Sequence, residues 1–210
     1  MNNSLDLSVY LVTNSDNKTK KEFLNIIEEA IIGGVTTLQI REKTRETKDF
    51  YNLALEVKDI TDLYKIPLIV DDRIDVAMAI DADGVHIGQK DLPAKIVREI
   101  IGDKKILGVS AATVETAKTA EKDGADYIGT GAIFPTTTKE ADCITINHLK
   151  NIVNSIEIPV VVIGGLDEKN IVQLSGTGIK GVSVVSAIMD AEYPKKIANK
   201  LKEEMELIIN

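Results

Sequence analysis

A short segment of alternating polar residues could bind an anion. Gln39, Arg41 and Lys43 are spaced two residues apart, so in an extended chain their side chains project to the same side. Guanidinium and ammonium groups form charge-assisted hydrogen bonds with phosphate oxygens, so two cations and an amide in this arrangement suit a polyanion such as a diphosphate. Taken alone, the Arg-Glu-Lys segment is explained equally well as a solvated run of surface charges.

Two aspartates could hold a metal ion beside these cations. Asp72 and Asp91 each follow a short apolar run, and a pair of carboxylates is a common way to hold Mg²⁺ that also touches substrate phosphates. In the alternative, Asp91 only caps a helix that begins at Pro93, and Asp72 pairs with Arg73. Together with the cations, a diphosphate–Mg²⁺ site explains the residues better.

Further candidates lie in the second half of the chain. The loop Pro135-Thr-Thr-Thr-Lys139 presents hydroxyls, backbone amides and an ammonium group, which suit a phosphate or a second substrate. Gly164-Gly165 and the region of Ser186 could bring backbone N–H groups close to a phosphate. His86 lies in a strand-like context, where a lone histidine is more often packed or hydrogen-bonded than an acid or a base.

The elements that position these residues alternate regularly along the chain. Eight apolar, β-rich runs predict strands at 8–13, 35–40, 67–70, 83–87, 105–109, 125–129, 159–163 and 181–185. Segments of helical periodicity lie at 23–31, 50–64, 74–80, 93–101, 113–122, 146–152, 168–174 and 193–208. Because the strands are nearly continuous apolar runs, both of their faces should be buried, as in a parallel sheet.

This alternation predicts an α/β fold, a TIM (β/α)8 barrel with parallel strands and a single domain over residues 1–210. A faint internal repeat supports a closed array, since Ala30-x3-Gly34-Val-Thr-x-Leu recurs as Ala120-x3-Gly124-Ala-Asp-x-Ile. The alternative is an open doubly wound sheet, which usually carries a Gly-rich turn after its first strand. Here Thr13 is followed by Asn-Ser-Asp-Asn. In a TIM barrel the loops after the strands build the active site, and the candidates above follow strands.

Composition narrows the class of function. The 210 residues, 44% of them hydrophobic, suffice for one sizeable core, and no apolar run reaches the length of a membrane span. The net charge of −8 disfavours nucleic-acid binding.

The first residues lack the features of a secretory signal, so we expect a cytoplasmic location. One cysteine, Cys143, and two histidines argue against disulfides and a Cys- or His-rich metal site. Self-association as a homo-oligomer is an open possibility.

Seven blocks of sequence, in order, carry a resemblance to a known family. They are Tyr-Leu-Val-Thr at 10–13, Leu-Gln-Ile-Arg-Glu-Lys at 38–43, Asp-Asp-Arg at 71–73, Asp-Gly-Val-His-Ile-Gly-Gln-Lys-Asp at 83–91, Gly-Val-Ser at 108–110, Gly-Ala-Asp-Tyr-Ile-Gly-Thr-Gly-Ala-Ile-Phe-Pro-Thr-Thr-Thr-Lys at 124–139 and Val-Ile-Gly-Gly-Leu at 162–166. Over essentially its whole length the chain resembles the thiamine-phosphate synthase family, also called thiamine-phosphate pyrophosphorylases.

The resemblance implies a role for each matching residue. The pyrimidine diphosphate would be held by Gln39, Ile40, Arg41, Glu42, Lys43, Asp71, Ser110 and Lys139. The thiazole phosphate would be held by Thr136, Thr137, Thr138, Gly165, Val185 and Ser186. Mg²⁺ would be bound by Asp72 and Asp91, and the catalytic residues would be Arg41, Lys43, Ser110 and Lys139.

The resemblance also implies a reaction on two small-molecule substrates. Pyrophosphate would leave the methylene of 4-amino-5-hydroxymethyl-2-methylpyrimidine diphosphate, and the nitrogen of 4-methyl-5-(2-hydroxyethyl)thiazole phosphate would attack the cation-like centre to give thiamine phosphate. This route requires no protein nucleophile. That agrees with the inventory of residues, which offers cations, carboxylates and hydroxyls but no evident Ser-His-Asp or Cys-His arrangement.

Two positions depart from the family pattern. The family commonly has Asn where this chain has Asp71, so an amide donor is replaced by a carboxylate. Many relatives have His where this chain has Ala112, two residues after Ser110. The related thiazole tautomerases use a histidine in that segment for proton transfer, and alanine cannot replace it.

Three alternative functions differ from the synthase. A thiazole tautomerase is disfavoured by Ala112. A non-catalytic thiamine- or phosphate-binding regulator is disfavoured by the full set of cations and carboxylates, because a sensor has no need of a site for a leaving group. An isomerase or epimerase of sugar phosphates needs a positioned acid/base pair, and such a pair is less evident here than the metal site.

Overall fold

The computed structural model describes residues 5–136 and 143–209, and within them eight short parallel strands close into a barrel. The strands are β1 (Val9–Val12), β2 (Thr37–Ile40), β3 (Leu68–Asp71), β4 (Gly84–Ile87), β5 (Ile106–Ser110), β6 (Tyr127–Thr130), β7 (Val160–Ile163) and β8 (Gly181–Val184). Each strand pairs with its neighbours in chain order, and β8 pairs with β1. The predicted (β/α)8 barrel is confirmed, and each observed strand overlaps a predicted one.

Helices cover the outside of the barrel. They are α1 (Lys20–Ile32), α2 (Thr47–Tyr64), α3 (Ile74–Ala79), α4 (Ala94–Ile101), α5 (Val114–Lys122), α6 (Ile146–Val153), α7 (Ser186–Met189) and α8 (Pro194–Ile209). In the described part of the chain, none of the helices combines the length and the apolar character that crossing a membrane requires.

The structure corrects one predicted helix and adds one that was not predicted. The helix predicted at 168–174 is a short 3-10 helix at Ile171–Leu174. The Asp167 carboxylate accepts hydrogen bonds from the backbone N–H groups of Lys169 and Asn170, so a local turn replaces the first helical turn. The four-residue helix α7 was not predicted, because it is too short to show helical periodicity.

The core has two layers, which explains why the strands are apolar on both faces. One layer lies between strands and helices, where Val9 and Leu11 of β1 pack with Phe23 and Ile27 of α1. The second layer fills the barrel interior and includes Tyr10. Successive residues of a strand point to opposite faces, so β1 contributes alternately to the two layers.

Threonine side chains fix the start of three helices at the end of the barrel where the strand loops lie. Thr19 and Glu22 form a capping box at α1, and Thr113 and Thr116 form the equivalent pair at α5. Thr145 accepts a hydrogen bond from the backbone N–H of His148 at the start of α6. These caps satisfy backbone N–H groups that have no partner in the helix, and they fix the points at which the loops rejoin the helices.

Closure of the barrel depends on a close approach between β8 and the residue that precedes β1. A Cβ atom built on Gly181 would lie 1.8 Å from the Leu7 carbonyl oxygen. No side chain fits at this distance, so the glycine lets the first and last strands pair.

We therefore expect Gly181→Ala to destabilise the fold by about 2 kcal/mol or more, because the β1–β8 seam must open to admit the methyl group. Gly176→Ala is the control: that glycine has φ +69° with no atom within 4 Å of the added Cβ, so only backbone strain opposes the change. Its expected cost is about 1 kcal/mol. Urea unfolding of both variants measures the difference, and equal stability would contradict the role assigned to Gly181.

Candidate active site

The candidate site residues gather at one end of the barrel, because parallel strands bring their carboxyl ends to the same edge. Gln39, Ile40, Asp71 and Ser110 lie in the last two residues of their strands, and the other described candidates follow in the loops or at the start of α7. Thr137, Thr138 and Lys139 lie outside the described residues. The described candidates form two groups, one around β2–β5 and the other around β6–β8.

Arg41 and Lys43 converge on two aspartates at the end of β3. Lys43 Nζ lies 2.9 Å from Asp71 Oδ2 and also pairs with Asp72, and Arg41 Nε lies 3.6 Å from the same Asp71 oxygen. The alternation of the segment after β2 thus places both cations on one side, as predicted. The suggested pairing of Asp72 with Arg73 is wrong, because the Arg73 guanidinium binds the Asp75 carboxylate at 2.6 Å.

Asp71 is the buried member of this cluster. Only 9% of the residue is exposed, and burial, followed by the charge of Asp72, raises the pKa of the Asp71 carboxyl above its usual value. Lys43 and Arg41 act in the opposite direction by favouring the charged form. Where the family commonly has asparagine, this chain therefore has a carboxylate, Asp71, that binds both cations.

Asp72 and Asp91 lie next to each other across the ends of β3 and β4. Burial raises the pKa of the Asp91 carboxyl; a hydrogen bond from Gly88 opposes this, and the nearby Asp72 raises the pKa further. Asp91 does not cap α4, whose first turn is preceded by Pro93; its Oδ2 instead accepts the Gly88 backbone N–H at 2.6 Å. The capping alternative for Asp91 is therefore wrong.

The backbone holds Asp72 in a less favourable conformation. Its φ is +58°, in the left-handed region, which costs a residue with a side chain about 1 kcal/mol. The Asp72 backbone N–H donates to the His86 carbonyl oxygen at 2.8 Å, so pairing with the end of β4 stabilises this turn. The turn directs the carboxylate toward Lys43 and Asp91.

The Asp72–Asp91 pair fits a magnesium ion that shares its coordination with a ligand. Two adjacent carboxylates repel each other, so a cation between them is favourable. Within residues 5–136 and 143–209, no group of three or more His, Cys, Asp or Glu side chains is arranged to hold a metal alone. Mg²⁺ commonly binds through one or two carboxylates and completes its shell with water and substrate phosphates, and this donor set matches that pattern.

A line of hydrogen bonds, here called the interior chain, runs through the barrel to its mouth. Gln39 Nε2 donates to the Tyr10 hydroxyl at 3.0 Å, and the hydroxyls of Tyr10 and Tyr127 are 2.7 Å apart. Tyr127 lies 2.9 Å from His86 Nδ1, and His86 Nε2 lies 2.9 Å from Ser110 Oγ. The structure thus brings a serine and a histidine together, which the sequence alone did not reveal.

The interior chain was missed because its members are spread over five strands. In the sequence, Tyr10 lies within a continuous apolar strand, and His86 stands alone in a strand-like context. One signal was available: Gly108 and Gly129 occur in neighbouring strands, and an added Cβ at Gly108 would lie 2.1 Å from the Tyr127 ring. Such glycines mark places where large side chains need the space.

The second group of candidates lies around the loops after β6, β7 and β8. Gly165 has φ +66°, and an added Cβ there would lie 2.5 Å from the Pro135 carbonyl oxygen, so the β7 loop packs directly on the segment before Thr136. Asn170 Nδ2 donates to the Gly165 carbonyl oxygen at 2.7 Å and fixes this loop. Val185 precedes α7 and Ser186 is its first residue, so both lie at a helix start.

Two proposed substrate contacts have side chains that point elsewhere. Ile40 is fully buried between the barrel and the helices. Glu42 points to the opposite side from Arg41 and Lys43, and its Oε2 accepts hydrogen bonds from Ser15 and Arg45. The structure therefore leaves Ile40 and Glu42 only their backbone groups for contact with a ligand at the mouth.

Comparisons with known proteins agree over nearly the whole chain. The model of the family described as thiamine monophosphate synthase matches residues 9–188. The thiamine-phosphate synthase of Methanobrevibacter smithii is 57% identical over 203 residues, covering 96% of this chain and 97% of the relative. That of Clostridium tetani is 51% identical over 201 residues, covering 95% and 96%.

Solved structures give the same result. The thiamine phosphate pyrophosphorylase of Pyrococcus furiosus superposes with a TM-score of 0.90 at 37% identity, covering 98% of each chain. The geranylgeranylglyceryl phosphate synthase of Thermoplasma acidophilum has a TM-score of 0.73 at 14% identity, covering 96% of this chain and 94% of the other, and shares the fold alone. By the family model and by relatives of high identity over its length, the chain belongs to the thiamine monophosphate synthase family.

Proposed function

We propose that this chain is a thiamine-phosphate synthase that joins the pyrimidine diphosphate to the thiazole phosphate and releases pyrophosphate. The observation that carries the proposal is the convergence of Arg41 and Lys43 with Asp72 and Asp91 at the barrel mouth. This cluster supplies both kinds of group that a diphosphate requires, cations and metal-binding carboxylates. The named relatives, similar over nearly the full chain, support the same assignment.

Binding of the diphosphate would exchange the partners of the two cations. Before binding, the carboxylates of Asp71 and Asp72 hold Lys43, and Asp71 holds Arg41. A diphosphate carries more negative charge than one carboxylate and accepts several hydrogen bonds, so it competes for these groups. As the bond to the pyrimidine methylene breaks, negative charge accumulates on the pyrophosphate, and Arg41 and Lys43 stabilise it there.

Mg²⁺ belongs to this proposal as a bridge between the chain and the diphosphate. Asp72 and Asp91 would hold the ion, which when bound supplies positive charge beside the leaving group. Ser110 would donate a hydrogen bond to the same diphosphate. Lys139, which lies outside the described residues, would add a further positive charge.

The thiazole phosphate is assigned to the second group of candidates. Around Gly165, Val185 and Ser186 the backbone turns at the start of α7 and after β7, and in TIM barrels this region commonly holds a phosphate through backbone N–H groups. Thr136, Thr137 and Thr138 would add hydroxyl groups. The two substrates would then meet across the mouth with the methylene and the thiazole nitrogen facing each other, which lowers the entropic cost of their reaction.

The tautomerase alternative remains disfavoured because Ala112 has no group that could transfer a proton. The nearby His148 belongs to α6, and its Nε2–H donates to the Ala112 carbonyl oxygen at 2.8 Å. The regulator alternative predicts binding of both substrates without any product.

The cytoplasmic location, self-association as a homo-oligomer and a single domain over residues 1–210 stay predictions from the sequence.

The first test is direct synthesis. Purified protein, Mg²⁺, the pyrimidine diphosphate and the thiazole phosphate should yield thiamine phosphate and pyrophosphate in equal amounts, measured by mass-resolved chromatography. Omitting Mg²⁺ should abolish most of the product. Folded protein that binds either substrate yet forms neither product would contradict the synthase assignment and favour the regulator.

Arg41→Ala should lower kcat by about 100-fold, because it removes one charge that stabilises the leaving pyrophosphate. Arg45→Ala is the matched control: Arg45 lies four residues on but binds Glu42 and Ser15 on the other side of the loop. We expect the control to retain near-normal kcat. Similar kcat values for Arg41→Ala and the wild type would remove Arg41 from the catalytic residues.

Asp72→Asn should raise the Mg²⁺ concentration required for half-maximal activity by about tenfold or more, since one of two carboxylate ligands is neutralised. Asp75→Asn is the control, because the Asp75 carboxylate is bound by Arg73 and is largely exposed. Titration of activity with Mg²⁺ compares the two variants. An unchanged Mg²⁺ requirement in Asp72→Asn would contradict the proposed metal site.

A further inference from the structure

The interior chain ends at a serine–histidine pair whose chemical role depends on where its protons lie. Ser110 Oγ is 2.9 Å from His86 Nε2, which is also the arrangement of a serine nucleophile and its general base. If Nε2 accepts the serine proton, Ser110 is activated for attack. If Nε2 carries a proton, it donates to Ser110, and the serine hydroxyl is free to donate toward the barrel mouth.

With a neutral His86, the hydrogen bonds between Tyr10 and Ser110 can run in one of two directions. Each tyrosine hydroxyl has one proton to donate, and each ring nitrogen of a neutral histidine is either a donor or an acceptor. In the outward arrangement, Gln39 donates to Tyr10, Tyr10 to Tyr127, and Tyr127 to His86 Nδ1, so His86 Nε2 must donate to Ser110. In the inward arrangement Ser110 donates to His86 Nε2, His86 Nδ1 to Tyr127, and Tyr127 to Tyr10. The Tyr10 proton then has no acceptor within the interior chain, because the Gln39 amide nitrogen cannot accept. Burial raises the pKa of both tyrosine hydroxyls above the usual range, so each keeps its proton.

Both ends of the interior chain favour the outward arrangement. At one end, the Gln39 amide nitrogen, which only donates, faces the Tyr10 hydroxyl. At the Ser110 end, an ionised diphosphate only accepts hydrogen bonds, so any group that contacts it must donate. The Ser110 backbone is fixed as well, because Gln89 Nε2 donates to its carbonyl oxygen at 2.6 Å.

We propose that Gln39, Tyr10, Tyr127 and His86 are positioning residues that hold His86 as the Nε2–H tautomer, so that the Ser110 hydroxyl donates its hydrogen bond to the diphosphate. The inference rests on the proposed function and deepens it. It makes the serine–histidine pair a donor for the leaving group and excludes a role as nucleophile and base.

The strands provide space for this arrangement. An added Cβ at Gly108 would lie 2.2 Å from the Tyr127 hydroxyl oxygen and 2.5 Å from His86 Nδ1, and one at Gly129 would lie 3.0 Å from His86 Cε1. Neither glycine has a positive φ, so backbone conformation does not require glycine at these positions. The two glycines leave room for the hydrogen bond between the Tyr127 hydroxyl and His86 Nδ1, and this bond determines the tautomer of His86.

The tautomer of His86 can be measured in the absence of substrate. Nitrogen NMR of histidine-labelled protein at about pH 8.5, where an ordinary histidine is neutral, distinguishes a protonated ring nitrogen from a bare one. The chain has two histidines, and His148 serves as an internal reference because its Nε2 donates to the Ala112 carbonyl. We expect protonated Nε2 and bare Nδ1 on His86. In Tyr127→Phe the His86 signals should shift while those of His148 stay unchanged. A protonated Nδ1 on wild-type His86 would overturn the proposal.

Kinetics test whether the tautomer acts through Ser110. Tyr127→Phe should raise the KM for the pyrimidine diphosphate by about tenfold, the effect of losing one hydrogen bond to a charged group, and leave the KM for the thiazole phosphate unchanged. In a Ser110→Ala background the same change should have no further effect. A merely structural role would lower activity in both backgrounds, so additive effects would overturn the proposal.

Tyr64→Phe is the matched control. It also removes a tyrosine hydroxyl that is hydrogen-bonded to a side chain. Tyr64, however, is the last residue of α2, at the end of the barrel opposite to the mouth, and its hydroxyl donates to Glu28 at 2.9 Å. Both KM values should stay normal in this variant. Failure of the proposed function and failure of this inference give different results. If the wild-type protein forms no product, the proposed function and the role of Ser110 are both contradicted. If the enzyme is active but His86 is the Nδ1–H tautomer, this inference alone is contradicted.

Discussion

The pairing of β8 with β1 is the interaction on which the site depends, because it closes the sheet and turns eight strand ends into one ring. The first and last strands are about 170 residues apart in the chain, yet Val9 lies opposite Val182. Closure requires Leu7 and Gly181 to approach within a distance that admits no side chain. Once the ring is closed, the loops after β2, β3 and β4 must face those after β6, β7 and β8 across a mouth, so two substrates can meet between them.

Two cations lie together at that mouth, although the molecule as a whole is acidic. The chain has a net charge of −8, yet Arg41 and Lys43 lie together at the end of β2. Buried Asp71 holds them in place, and asparagine, which the family commonly has there, could not supply the same charge. In the proposed site this carboxylate would order both cations before the diphosphate binds and would compete with the diphosphate for them. The affinity for the diphosphate would then depend on the difference in free energy between the ion pairs that the cations form with Asp71 and those that they form with the diphosphate.

The sequence predicted the framework well because its signals are local. Apolar runs identified the strands, and period-two alternation placed Arg41 and Lys43 on one side. The same alternation puts Glu42 on the opposite side, so a stricter use of the pattern would have excluded its side chain. The interior chain could not be predicted in this way. In a closed barrel both faces of a strand are buried, so the sequence does not tell whether Tyr10 packs against a helix or points inward to Tyr127.

The interior chain follows from the same closure. Water has little access to the inside of a small closed barrel, so polar side chains that point inward must satisfy one another. A line of such groups has two proton arrangements, and the chemistry of its ends selects one of them. In hydrolase triads a carboxylate accepts a hydrogen bond from the histidine Nδ1–H, which leaves Nε2 free to act as a base. Here a tyrosine hydroxyl occupies that place, and when it donates, the histidine becomes a donor at Nε2. The group behind the histidine therefore decides whether a serine–histidine pair attacks a substrate or binds a leaving group.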